Sequence, residues 1–179
     1  PGEVMRGAVL ASRLFSSPAE IDAASMPLLG IEAEIAFRFL HALPPRAEAY
    51  TADEVAAAVV AVPAIEVVDT RFASYADTPL LHRLGDCMSN GGLVVGEPRT
   101  DWRSFDFRTI PVTLQIGAET IRKTGGHSAG DPLLPAVAFA NAVRESTGIA
   151  AGQVVTTGTF TGLVFAKPGD RGSAEVEGF

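Results

Sequence analysis

Gly30-Ile-Glu-Ala-Glu-Ile-Ala-Phe-Arg-Phe39 is the stretch on which the fold turns. Ile31, Ala33, Ile35, Phe37 and Phe39 alternate with Glu32, Glu34, Ala36 and Arg38, the two-residue period of a half-buried strand. Glu32 and Glu34 therefore project from one face while the apolar set occupies the other. Adjacent carboxylates repel, and one takes up a proton unless a cation sits between them. The plainer alternative is a solvated Glu face, since charged side chains prefer the surface.

Downstream, Ala64 to Phe72 is β-branched and strand-like, and Glu66 stands in it between Ile65 and Val67. An unpaired carboxylate is costly in such a strand. Brought beside Glu32 and Glu34, it would complete an all-oxygen ligand set suited to Mg²⁺ or Mn²⁺. In the competing reading Glu66 is buried against a basic partner such as Arg71. Zinc is disfavoured, because the chain offers only Cys87 and three histidines, His41, His82 and His127, without short ligand spacing.

Other segments set the class. Thr51-Ala-Asp-Glu54 offers a capping box for a helix from about Ala52 to Val62, ending before Pro63. Gly91 to Gly96 is a short apolar strand, and Thr109 to Ile116 with Glu119 to Lys123 forms a hairpin around Gly117-Ala118. Asp131-Pro132 opens a helix over Leu133 to Glu145, with Val137, Phe139 or Ala140, and Val143 inward and Gly148 beyond its end. Gln153 to Phe160, Leu163 to Lys167 and Ser173 to Glu177 are short strands. The expected fold is α+β: a rolled or barrel-like mixed sheet with two packed helices, residues 1–179 forming a single catalytic domain.

Composition narrows the function classes. Of 179 residues, 47% are hydrophobic and 20% charged, as in a folded globular chain. With 14 basic against 21 acidic residues, the net charge of −7 argues against nucleic acid or an anionic lipid surface as partner. A small anionic substrate would then need local compensation, which a divalent cation supplies. The longest apolar stretches, such as Val55 to Ile65, fall far short of the roughly 20 residues that span a bilayer. A lone cysteine makes no internal disulfide and fits a reducing compartment, so cytoplasm is expected. The opening Pro1-Gly2-Glu3 has neither an initiator Met nor a targeting pattern, which suggests a start further upstream.

Gly30 to Phe37, followed by Pro63-Ala-Ile-Glu-Val-Val-Asp-Thr-Arg71, resembles the metal-binding core of the fumarylacetoacetate hydrolase superfamily. Asp86-Cys-Met-Ser-Asn-Gly-Gly92, Gly130-Asp-Pro-Leu-Leu-Pro-Ala-Val-Ala-Phe-Ala-Asn141 and Gly152-Gln-Val-Val-Thr-Thr-Gly-Thr159 extend the resemblance, in order, over most of the chain from Gly30 onward. It implies a C-terminal catalytic-domain fold, Glu32, Glu34 and Glu66 as ligands of Mg²⁺ or Mn²⁺, contacts from Thr157, Gly158 and Thr159 to the substrate carboxylate, and a homo-oligomer. The wording around Glu66, and Phe160 rather than a proline after Thr159, is similar to the 2-oxopent-4-enoate hydratase and 4-oxalocrotonate decarboxylase branch, whose reactions belong to the catabolism of aromatic compounds.

The implied reaction is addition of water to a short unsaturated 2-oxo acid such as 2-oxopent-4-enoate, through a metal-stabilised enolate. The same charge stabilisation would serve 4-oxalocrotonate-type decarboxylation or acylpyruvate C–C hydrolysis. Related proteins carry an N-terminal segment that gives the site a lysine, and nothing before Glu32 here matches it. That departure leaves the acid–base group unnamed and favours a rival of another class, a non-catalytic homologue that binds metal and 2-oxo acids or acts as a partner subunit. Lys123 and His127, in Arg122-Lys-Thr-Gly-Gly-His-Ser128, are the remaining acid–base candidates, against the simpler account of a solvated hairpin end. His82 reads as surface, and Cys87 as a small buried filler.

Overall fold

A computed structural model describes residues 4–179, so Pro1-Gly2-Glu3 and the expectation resting on them lie outside the described residues. In chain order the elements are β1 (Leu14–Ser16), β2 (Gly30–Phe39), α1 (Ala52–Ala58), β3 (Val59–Val68), α2 (Leu80–Gly85), β4 (Asn90–Val95), β5 (Pro111–Ile116), β6 (Glu119–Thr124), α3 (Leu133–Val143), β7 (Val154–Thr159), β8 (Val164–Phe165) and β9 (Gly172–Val176). The larger sheet has the order β1-β4-β3-β2-β7, with β8 also on β2, and β6-β5-β9 forms a second sheet. The α+β class is as expected. The two sheets do not close into a barrel, because the β5–β6 hairpin pairs with β9 and not with the larger sheet.

Strand β2 is flanked by β3 on one side and by β7 and β8 on the other. Its odd-numbered residues, Ile31 to Phe39, join the main core with Val112, Leu114 and Ile116 of β5, Val176 of β9, Val55 of α1 and Ala136 and Ala140 of α3. Phe37 is fully buried there, edge-on to Trp102 with ring centroids 5.2 Å apart. The other face is covered too: Ala36 packs with Val62, Ala64, Leu93 and Val95, and Val9 and Val154 lie against them. The half-buried strand expected from alternation is thus buried on both faces, and Glu34 is only 1% exposed.

Helix α1 starts as the capping box requires, with Thr51 Oγ1 accepting from Glu54 N–H at 3.2 Å and Glu54 Oε2 accepting from Thr51 N–H at 2.8 Å. It stops at Ala58 rather than Val62, since the Val-rich run from Val59 onward pairs with β2 across its whole length. Pro63 sits inside that strand without disrupting it. The Pro63 carbonyl accepts from Gly96 N–H on the β4 side, beyond the last regular pair, Ala64 with Val95, so the missing donor faces no ladder. The short helix α2 was not foreseen.

The hairpin turn is where the sequence places it, with Gly117 at φ +55° and Ile116 opposite Glu119. Helix α3 covers Leu133–Val143, shorter than expected, with Ala136, Ala140 and Val143 buried and Val137 and Phe139 partly buried against the core. Gly148, at φ +60°, donates to the Val143 carbonyl and closes it. No helix among the described residues is long and apolar enough to cross a membrane.

The double-sided burial of β2 makes its core face sensitive to truncation. Phe37→Ala should lower the unfolding free energy in urea by about 3–5 kcal/mol, the cost of a large buried ring plus the void it leaves. A loss below about 1 kcal/mol would show that this face does not carry the core.

Candidate metal centre

The ladder between β2 and β3 places Glu32 directly opposite Glu66, and Glu34 opposite Ala64. Side chains facing each other in an antiparallel pair share a face, so Glu32, Glu34 and Glu66 point the same way, away from the main core. Each contributes one carboxylate oxygen to a group lying within 4.8 Å of one another. Among the described residues this is the only cluster of acidic, histidine or cysteine side chains with such spacing.

Each of the two more buried carboxylates is held through one oxygen. Glu34 Oε2 accepts from the Thr156 hydroxyl and, at 3.2 Å, from Gly158 N–H. A bulge makes this grip possible: Glu34 pairs with Thr159 and Ala36 with Thr156, so an extra β7 residue brings both threonines onto the carboxylate face. Glu34 Oε1 is buried without any hydrogen-bond partner. Glu66 Oε1 accepts from Asn90 Nδ2 at 2.6 Å. Glu32, half-buried, borders the open side.

The electrostatics follow from this crowding. Desolvation, then the Glu66 charge, raises the Glu32 carboxyl from 4.5 to about 7. Glu34 is pushed up by burial first and by the charge of Glu66, against the lowering by Thr156. Glu66 is raised by burial, against the lowering by Asn90. An unpaired buried ion costs several kcal/mol, so three of them are not held charged without a counter-ion. A divalent cation with oxygen preference fits the donor set, the spacing and the orphaned Glu34 Oε1. No histidine or cysteine belongs to the cluster, in line with a hard cation.

Arg71 is not the partner of Glu66. Its guanidinium Nε donates to Asp86 Oδ1 and Nη1 to the Asn90 carbonyl at 2.9 Å. The competing reading of a buried Glu66–Arg71 pair is therefore removed. His82 lies exposed on α2 and stacks on Phe72 with centroids 5.6 Å apart. Cys87 is half-buried in a left-handed turn at φ 53°, not the buried filler expected.

The substrate-contact candidates separate. Thr159 lies opposite Glu34, and its Oγ1 accepts from Gly162 N–H at 2.9 Å and Thr161 N–H at 3.2 Å, which leaves its own proton free to donate. Thr157 donates to the Ile35 carbonyl at 2.8 Å, and Gly158 spends its N–H on Glu34. Thr156, which sequence reasoning passed over, grips the carboxylate. The only signal for it was its place in the Thr-Thr-Gly-Thr run, and the bulge that turns it inward is not readable from that run.

Neither acid–base candidate is hydrogen-bonded to the three carboxylates, whose donors among the described residues are Thr156, Gly158 and Asn90. Lys123 is exposed on β6 of the second sheet. His127 is 5% exposed rather than at a solvated hairpin end. Its Nδ1 accepts from Ala129 N–H at 3.2 Å, so Nε2 carries the proton and donates to the Thr157 carbonyl at 3.0 Å. Both ring nitrogens are engaged, and burial lowers the His127 pKa, as expected for a neutral anchor of the Gly125–Gly130 loop.

No protein-family profile matches the chain. A 2-keto-4-pentenoate hydratase from Burkholderia vietnamiensis (strain G4 / LMG 22486) is 34% identical over 173 residues, 92% of this chain and 65% of that protein. A 4-oxalocrotonate decarboxylase from Pseudomonas putida is 27% identical over 128 residues, 70% of this chain and 48% of that protein. The solved 4-oxalocrotonate decarboxylase from Pseudomonas putida G7, complexed with magnesium and adipate, superposes with a TM-score of 0.80 at 24% identity, over 93% of this chain and 64% of that one. At that identity the superposition speaks for the fold alone. The chain spans just under two thirds of the hydratase's length.

Two outcomes follow from the carboxylate geometry. A carboxyl whose folded pKa lies above its ordinary 4.5 stabilises the fold below that value and loses the contribution as pH rises through about 7. Chelator-treated protein should therefore melt at a lower temperature at pH 8.5 than at pH 5.5, and saturating Mg²⁺ or Mn²⁺ should remove most of the difference. Asp86 and Glu54, held below their ordinary values, act in the opposite sense only at lower pH, whereas buried His127, also held below its ordinary value, opposes the effect near the lower end of the interval, so the metal dependence rather than the pH slope alone identifies the cluster. A melting temperature flat in pH and indifferent to metal would remove the site. Calorimetric Mn²⁺ affinity should also fall at least about tenfold in Glu66→Gln with the fold retained, and Glu66→Asp should keep weak binding.

Proposed function

From the premise that the chain is a homologue of 2-keto-4-pentenoate hydratases and 4-oxalocrotonate decarboxylases with the fumarylacetoacetate hydrolase-like fold, we propose that it is a divalent-metal-dependent hydratase. The substrate is a short unsaturated 2-oxo acid such as 2-oxopent-4-enoate, and the product is the 4-hydroxy-2-oxo acid. The observation that carries the reading is the convergence of Glu32, Glu34 and Glu66 around a buried, unpartnered carboxylate oxygen. The hydratase relative is matched at higher identity and over more of the chain than the decarboxylase relative, which favours hydration over loss of CO₂.

Mg²⁺ or Mn²⁺, bound there, supplies Lewis acidity toward the carboxylate and 2-oxo oxygens of such an acid, the role that accelerates chemistry next to a carbonyl. Glu32, Glu34 and Glu66 hold the cation. Thr156 and Gly158 N–H keep Glu34 in place, and the β7 bulge commits both donors before any substrate arrives. The Thr159 hydroxyl, braced by two backbone N–H groups, is poised to donate to the substrate carboxylate, an acceptor-only group. Thr157 and Gly158 shape that strand end through the hydrogen bonds to Ile35 and Glu34. Leu93 and Ala64, buried on the same face, give the cluster a dry floor on which these polar contacts are strengthened.

Decarboxylation of 4-oxalocrotonate is the second reading, supported by the decarboxylase relative and by fold likeness to a decarboxylase solved with magnesium and a diacid. The resemblance and the lone cysteine support a cytoplasmic homo-oligomer acting on small 2-oxo acids.

Turnover of a panel of 2-oxopent-4-enoate, 4-oxalocrotonate and an acylpyruvate, followed by mass spectrometry of the products, tests the assignment. The expected result is a 4-hydroxy-2-oxo acid from the first substrate, lost on chelation and restored by Mg²⁺ or Mn²⁺. Loss of CO₂ or C–C cleavage as the only reaction would move the protein to a sister activity. Full turnover with metal shown to be absent would end the Lewis-acid role. Tight Mn²⁺ binding with no turnover of any panel member would favour a non-catalytic binder.

A further inference from the structure

The segment between β3 and β4 contains an unusual run: Cys87, Met88 and Ser89 all have left-handed backbones, with φ of 53°, 58° and 63°. For residues with a Cβ this conformation costs roughly 1–2 kcal/mol each, and it persists only where surrounding structure over-determines it. The over-determination is visible. Arg71 bridges the two ends of the run, donating from Nε to Asp86 Oδ1, from Nη2 to the Asp86 carbonyl, and from Nη1 to the Asn90 carbonyl at 2.9 Å. Asp86, 8% exposed, also accepts from Thr70 Oγ1 at 3.2 Å and from Arg71 N–H at 3.1 Å.

The run ends on a bulge with a definite consequence. Glu66 pairs with Leu93 and Val67 with Gly92, so a regular ladder would set Gly91 opposite Val68. Instead Val68 pairs with Asn90. Gly91 is the extra residue, and a Cβ there would come within 2.7 Å of Asp69 Cβ. The shift by one residue turns the Asn90 side chain from the opposite face onto the face of Glu66. Its amide then lies between two acceptors, Glu66 Oε1 at 2.6 Å and the Gly92 carbonyl at 3.4 Å, so the NH₂ end must face them.

We propose that Asn90 is a positioning residue for Glu66, aimed by the Arg71–Asp86 clamp and the Gly91 bulge, so that Glu66 offers its other oxygen to the cation in a fixed orientation. The inference rests on the metal reading given above. It assigns to the strained turn a purpose that the ligand set alone does not explain: among the described residues Glu34 is held by two neutral donors, Thr156 and Gly158, whereas the one neutral donor to Glu66 is Asn90. Partners that orient a metal ligand are typically worth 10–100-fold in affinity.

The test is Mn²⁺ affinity by calorimetry and by electron paramagnetic resonance, on the purified wild type, Asn90→Ala, Asn90→Gln and Arg71→Lys, with circular dichroism confirming the fold. Asn90→Ala should weaken Mn²⁺ binding about 10–100-fold with the metal-free melting temperature little changed, and Asn90→Gln, which keeps an amide donor, should recover part of the loss. Arg71→Lys, which cannot bridge Asp86 and Asn90 through a planar fork, should weaken binding in the same direction even where Asn90→Ala fails to fold. Unchanged affinity in a folded Asn90→Ala or in Arg71→Lys overturns the inference and leaves the metal reading intact. Absence of Mn²⁺ binding by the wild type overturns both.

Discussion

Glu32 stands directly opposite Glu66 in the β2–β3 ladder, with Glu34 two residues further along the same face, and the rest of the site is arranged around that juxtaposition. Like charges placed opposite each other destabilise a sheet, and burial sharpens the penalty. A folded domain has only about 5–15 kcal/mol of net stability, so an uncompensated cluster of this kind would consume a large share of it. The carboxylates either take up protons or share a cation. The raised pKa of Glu32 and the partnerless Oε1 of Glu34 are the two faces of that choice.

Two bulges, on strands either side of the β2–β3 pair, resolve how the carboxylates are held. On β7 the extra residue brings Thr156 and Thr159 together onto the face of Glu34. On β4 the extra residue Gly91 brings Asn90 onto the face of Glu66. In both cases a regular strand would have pointed a needed donor to the wrong side, because side-chain direction alternates strictly with residue number. The site therefore depends on local breaks in the ladder, and the ladder itself supplies the common face.

Much of this was legible in the chain. The alternation of Gly30 to Phe39 gave the strand and the shared face of Glu32 and Glu34, and the isolation of Glu66 among Ile65 and Val67 marked it as a residue needing a partner. Thr51 and Glu54 announced α1. Its end was misplaced because alanine favours helix while the valines beyond Ala58 take the strand that β2 offers, a tertiary choice. Nor did alternation reveal that the Glu face of β2 is buried: Val9, which packs on the Ala36 cluster, and Val154, which β7 sets beside it, lie far away in sequence. His127 was misjudged for a similar reason, since only the fold brings the Thr157 carbonyl, thirty positions later, to its ring. Bulges lie furthest from view, being decided by pairing partners rather than by the residues that bulge.

The division of β2 into two buried faces also bears on how activity and stability are separated in this fold. The odd-numbered face carries large side chains, Phe37 and Phe39 among them, packed into the main core, so its losses are paid in stability. The even-numbered face carries small residues, Ala36 with Ala64 from β3, beside the carboxylates, and contributes little apolar area of its own. Small side chains leave room for the carboxylates and their donors to converge without a clash, and they exclude water from beneath them. A strand that must anchor a core and present charges is thereby served by one sequence period: apolar residues at odd positions, with Glu32, Glu34 and Ala36 at the even ones. Arg38 ends the polar row past Ala36, where β3 offers Val60 rather than an acid, so the negative cluster is confined to one end of the strand. Confinement matters because the carboxylates there are held by the Thr156 hydroxyl, the Gly158 N–H and the Asn90 amide, and such donors would stabilise negative charge on the ligands of a cation without competing for it.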